Sequence, residues 1–202
     1  VMLEEGYLEI LTLHGGVTNP SVERMKASMA RHVGVHLAAF AVADAEAEAH
    51  RIEAAGFTME PNADLRRTIE GADGSGVEVS FTVVRPAFEQ FPEGRTQMLS
   101  HHTPEHMWQR RFLPVENPLQ ALLEVSYVVD NPVDVAARFA RFLGRPVSSS
   151  NGVCIRLDRG CLRFVTRKVA AETFGAGRLP PNPSIAALTI SSRDLERTRD
   201  VL

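Results

Sequence analysis

One pattern recurs three times along the chain, and it limits the fold more than any other feature: a short apolar strand, a polar cap, and an amphipathic helix. Residues 36–42 (HLAAFAV) read as the strand, Asp44 as the N-cap and residues 45–55 (AEAEAHRIEAA) as the helix. Residues 122–129 repeat the strand, and 130–143 hold the helix VDVAARFARFL. Residues 185–190 begin a third copy, with a helix from Asp194 onward. Gly56 and Gly144 follow the first two helices where a left-handed residue ends a helix without steric cost. Both of those copies then continue into short strands, at 65–70, 77–84 and 96–101 in one and 147–150, 153–157 and 162–166 in the other. Residues 71–76 (GADGSG) and Asp158-Arg159-Gly160 supply turns. Such spacing is that of a duplicated domain and not of a solenoid. The expected class is α+β, with tandem βαβββ modules forming cupped mixed sheets and helices outside.

Other segments fill in around the repeats. Residues 1–13 alternate about Glu4-Glu5-Gly6 as a hairpin, and Asn19-Pro20 starts a short helix through about Arg31. The Pro- and Asn-containing stretch 112–120 reads as the linker between copies. Net charge is −3 with signs interspersed, so no basic surface points to nucleic acid. No apolar run reaches the roughly 18 residues that span a bilayer, and no membrane partner is expected. Two cysteines rule out a disulfide framework and fit a reducing, cytoplasmic setting. Cys154 and Cys161 read as small core residues on adjacent strands. Residues 71–76 precede no helix and are a turn, not a nucleotide loop.

Three stretches carry a family resemblance: GYLEIL (6–11), HLAAFAVADAEAEAHRIEAAGF (36–57) and SHHTPEHMW (100–108). With the βαβββ repeat, the chain resembles the vicinal oxygen chelate superfamily, and within it the glyoxalase-like domain group. That superfamily includes glyoxalase I, extradiol dioxygenases and bleomycin-binding proteins. The resemblance implies module pairs that wrap one metal site in a curved sheet. It divides the chain into a glyoxalase-like domain at 1–112 (the end of module one, then module two at 35–102) and a second at 121–202 (module three at 121–168 and the start of module four). On this reading both ends are truncated.

The residues themselves supply the site candidates. Glu9 is a charge inside an apolar strand, where alternation puts Tyr7, Glu9 and Leu11 on one face. A carboxylate there is either exposed to water or set to meet a cation, a metal or a donor. His101 and His102 are adjacent in a strand, so only one of them shares a cavity with Glu9. The resemblance favours His101, a histidine just before x-Thr-Pro-Glu. His36 begins a strand, as a superfamily ligand does, but counting back from Asp44 puts it with Phe40 and Val42 on the helix side. Leu37 then takes the ligand position and, with Ala39, lines the cavity. Arg66 or Arg67 is placed to hold a substrate oxygen. Phe81, Met98 and Trp108 line an apolar pocket or pack in the core. His14, His32 and His50 read as loop or exposed-helix residues.

The resemblance therefore implies a protein that binds or transforms a small metabolite in a cupped cavity. A divalent metal (Zn, Fe, Mn or Ni), held by Glu9, His101 or His102, and His36, would act as Lewis acid, with Glu9 moving a proton. Lyase, isomerase and dioxygenase chemistry all fit. The alternative is a non-catalytic sequestering protein of the same fold, which Leu37 at the ligand position favours. A third expectation is a structural role in which modules pair between subunits, as a homodimer or other homo-oligomer.

Overall fold

The computed structural model describes residues 1–4, 6–13, 16, 18–71, 73–113, 118–149 and 152–201. Glu5 of the expected hairpin turn, His14, Ser150 and the middle of the expected linker (114–117) lie outside them. The chain opens with a single antiparallel bridge, Met2 to Tyr7, in place of a full hairpin. Helix α1 (Pro20–Arg31) follows, with the Asn19 side chain accepting from the Val22 N–H and Pro20 in its first turn.

The first module then forms as the pattern predicts. Strand β1 (Leu37–Ala41) leads into α2 (Ala45–Ala54), capped by Asp44, whose carboxylate accepts from the Glu46 and Ala47 N–H groups. Strands β2 (Ala63–Glu70), β3 (Gly76–Val84) and β4 (Arg95–His101) complete a sheet of order β1-β4-β3-β2. β1 runs parallel to β4, while β3 is antiparallel to both β4 and β2. A short helix, α3 (Pro104–Met107), closes the module. Thr103 precedes it, but its hydroxyl accepts from the Ser80 N–H and so ties α3 to β3.

The second module repeats this order with β5 (Leu119–Val128), α4 (Pro132–Leu143), β6 (Val147–Ser148), β7 (Val153–Arg156) and β8 (Cys161–Val165). One helix had no sequence expectation behind it. Helix α5 (Arg167–Phe174) is a run of helix formers capped by the Thr166 side chain and lacks a wide apolar stripe. Strand β9 (Ser184–Ser192), the start of the third copy, lies antiparallel against β5, so the second sheet reads β6-β7-β8-β5-β9. Helix α6 (Leu195–Val201) follows. Among the described residues no helix is long and apolar enough to cross a membrane.

Helices α2 and α4 each cover one face of their own sheet, and the two faces so covered share one core. On β1, Ala38 and Phe40 turn toward α2 and join a cluster with Ile52, Phe57, Phe91, Tyr127, Phe139 and Phe142. The Phe91 ring lies 4.9 Å from Phe139 and 5.1 Å from Phe142. Fully burying each such ring stabilises the fold by about 1.5–3 kcal/mol. Arg51 of α2 fastens the helices together by donating to the Phe142 carbonyl at 2.5 Å, at the C-terminal end of α4. Gly144 ends α4 at φ +64°, and a Cβ there would meet the Arg51 guanidinium at 3.2 Å. Cys154 is buried and Cys161 half-buried on neighbouring strands, both as free thiols.

Because the helix sides meet in this core, the opposite face of each sheet is left to other partners. In the first sheet, register fixes who stands there. Phe81 pairs with His101 and with Leu65, Arg67 pairs with Val79, and Ala39 pairs with Gln97. Strand alternation therefore puts Leu37, Ala39, Arg67, Phe81 and His101 on one surface.

Candidate functional site

The opening segment supplies the other half of this surface. Tyr7 and Glu9 share a face of an extended stretch, as alternation predicts, and both turn toward the first sheet. The Tyr7 ring lies 6.1 Å from the His101 ring and 6.0 Å from Trp108. Trp108, just after α3, lies 5.1 Å from His101 edge-on, and Phe81 lies 6.3 Å away. His101 thus sits in a cradle of three aromatic rings. The Glu9 carboxylate lies 4.0 Å from the Arg67 guanidinium, with both side chains about half exposed. The structure therefore brings together Glu9, Arg67, Phe81, His101 and Trp108 on one side of one sheet, while Leu37 and Ala39 lie on the same side but farther along, opposite Arg95 and Gln97.

His101 is the unusual member. Its Nε2 is buried and has no hydrogen-bond partner among the described residues. Burial, with the neighbouring His102 second, pushes its imidazole below the usual histidine range, so the ring is neutral near pH 7. An unpaired buried nitrogen costs about 1–3 kcal/mol, and a ligand group that bonded it would recover that cost. Tyr7 is shifted the other way: burial and then the Glu9 carboxylate push its phenol up, against the pull of Arg67.

The remaining candidates lie elsewhere. His36 stands on the helix side of β1, as the register indicated. Its Nε2 lies 3.1 Å from the His32 carbonyl and its ring 4.2 Å from the His32 ring, so it does not meet Glu9 or His101. His102 points to the opposite face from His101. Its Nε2 lies 2.8 Å from the Thr82 hydroxyl, which donates to Asp64 at 2.6 Å. A carboxylate only accepts, so His102 must donate to Thr82. That chain borders a separate cleft of about 430 Å³ beside Asp44 and Ser100. Met98 is buried in the shared core. Arg66 pairs with Glu78 at 3.4 Å.

Sequence reasoning passed over a second polar cluster, on the helix-free face of the second sheet. The Glu124 carboxylate accepts from Ser126 Oγ at 2.7 Å and Arg163 Nε at 2.8 Å, and the Cys161 thiol lies 3.6 Å away. The signal was present, since Glu124 is a lone charge in the apolar run ALLEVSYVV, just as Glu9 is in the apolar run YLEIL.

The metal that the resemblance implies does not fit the described residues. No three of their His, Cys, Asp and Glu side chains converge on a point. Glu9 and His101 offer two donors at most, and the Glu9 carboxylate faces Arg67. Catalytic metal sites use three protein ligands, so no step is routed through a metal here.

Comparison with known proteins agrees with this architecture. Residues 1–143 match the family model described as a glyoxalase-like domain. The crystal structure of a hypothetical protein from Staphylococcus aureus superposes with a TM-score of 0.50 at 8% sequence identity, over 62% of this chain and 50% of that one. That likeness shows the fold alone, and the chain spans about half of that protein's length. No curated protein matches.

Proposed function

The chain belongs to the glyoxalase-like domain family, and from that premise we propose that it binds a small metabolite on the helix-free face of its first sheet. The buried, unpartnered Nε2 of His101 carries the proposal. The Tyr7, Phe81 and Trp108 rings surround the His101 ring, and the half-exposed Glu9 and Arg67 lie on the same side of the sheet. Apolar walls with a few converging polar groups are the usual make-up of a small-molecule site. Leu37 and Ala39 lie farther along the same face, opposite Arg95 and Gln97. If the bound metabolite is also transformed, Glu9 is a half-exposed group on this face able to accept a proton.

Trp108 makes the proposal testable, because it is the only tryptophan in the chain and its ring adjoins His101. Titrating the protein with a panel of small planar molecules while recording tryptophan emission should give a saturable change. The His101→Phe variant should lose it. Flat emission across the whole panel, or titrations identical in the variant, would overturn the proposal.

A second reading takes a divalent metal from the family and not from a complete ligand set, since Glu9 and His101 supply only two of the three protein ligands among the described residues. Adding Zn, Fe, Mn or Ni ions in turn and following Trp108 emission tests it. A stoichiometric change that Glu9→Gln and His101→Phe both remove supports that reading. Its absence leaves the metal-free site as the account.

A further inference from the structure

We infer that the Glu9–Arg67 pair is a selectivity element that favours neutral, dipolar ligands: a planar apolar body carrying a carboxamide, ureido or lactam group. The inference rests on the binding face proposed above and adds the chemistry of its ligand. The nitrogen and oxygen of the pair are 4.0 Å apart, beyond hydrogen-bond reach. Arg67 makes no other hydrogen bond or ion pair among the described residues, so its five N–H donors have no protein acceptor.

A gap of this kind is complementary to a group with a donor beside an acceptor. A carbonyl oxygen takes an Arg67 N–H, and the adjacent N–H gives to Glu9. An anion gains Arg67 but meets the Glu9 charge, and a cation gains Glu9 but meets Arg67. Each full charge is therefore partly cancelled, while a neutral amide uses both partners. The apolar body follows from Tyr7. Its ring reaches His101 and Trp108, and its phenol feels both Glu9 and Arg67, so the polar pair adjoins the aromatic patch directly.

The test uses three probes with one ring and three charges: benzamide, benzoate and benzylammonium. Their affinities for the full chain are measured by isothermal titration calorimetry. Benzamide should bind about tenfold more tightly than either ion, a difference of roughly 1.4 kcal/mol. Glu9→Gln should move the preference to benzoate and Arg67→Gln to benzylammonium, with far-UV circular dichroism checking each fold. The wild-type series alone decides the matter if a variant fails to fold. Equal affinities, or tighter binding of either ion, overturn the inference while leaving the binding face intact. If none of the three binds and the planar panel also leaves Trp108 emission flat, the binding face itself fails and the inference with it.

Discussion

Each sheet has a glutamate and an arginine at its face away from α2 and α4, Glu9 of the opening segment with Arg67 at the first and Glu124 with Arg163 in the second, and the two pairs behave differently. The parallel ladders match residue for residue: Leu37–Ala41 lies on Arg95–Leu99 as Glu124–Val128 lies on Cys161–Val165. Glu124 therefore occupies in the second sheet the place of Leu37 in the first. Its side chain is 15% exposed, with the carboxylate held by Ser126 and Arg163. Burial alone would raise its pKa, but those two hydrogen bonds hold it below the usual carboxylate range. The Cys161 thiol beside it is pushed up, first by burial and then by that charge. Glu9 and Arg67 instead stand half exposed and out of hydrogen-bond reach. The satisfied pair links β5 to β8, and the unsatisfied pair is the one for which we propose a ligand.

Stability measurements should separate the two pairs. Glu124→Ala should cost about 2 kcal/mol in urea unfolding, because it strips charge-assisted hydrogen bonds from a mostly buried cluster. His101→Phe should leave stability unchanged or raise it by about 1 kcal/mol, since it replaces an unpaired buried nitrogen with an apolar ring of similar shape. A loss in that variant as large as that of Glu124→Ala would mean the imidazole is structural.

Acid titration gives a third, smaller effect. The folded-state pKa of His101 is depressed, so the unfolded chain binds more protons below the ordinary histidine value of about 6.5. Stability from this group is present above that pH and is lost as pH falls through the window down to its folded value. Burial, then His36 and Arg31, depress His32 in the same direction, so His101→Phe should flatten the slope only in part. The Glu124 contribution holds to lower pH and fades below about 4.3, as the carboxylate takes up its proton. An unchanged slope in His101→Phe would contradict the assignment. The smallest effect is that of Glu9→Ala, within about 0.5 kcal/mol of wild type, as for an exposed ion pair.

Local chemistry explains what the sequence revealed. The βαβββ order was legible because Asp44, Gly56 and Gly144 punctuate the helices with residues whose capping geometry is specific. Alternation correctly set Leu37 and Ala39 on one face of β1 and His36 on the other, and it separated His101 from His102. What escaped was non-local. The pairing of β9 with β5 depends on residues roughly 60 apart, which no periodicity reports. Glu124 carried the same signal as Glu9, a lone charge in an apolar run, but only its neighbours Ser126 and Arg163 show that it is satisfied. The 4.0 Å gap at Arg67 is likewise a product of how the opening segment lies across the sheet, which strand patterns do not encode.

The central claim is that the first sheet, and not the second, takes the ligand. Backbone amide chemical-shift mapping by NMR, during titration with benzamide, tests it most directly. The account predicts saturable shifts confined to residues around Tyr7–Glu9, Leu65–Arg67, Val79–Phe81 and Leu99–Trp108, with Glu124, Ser126 and Arg163 unmoved. Shifts centred on Glu124, Ser126 and Arg163, with the first sheet silent, would contradict it.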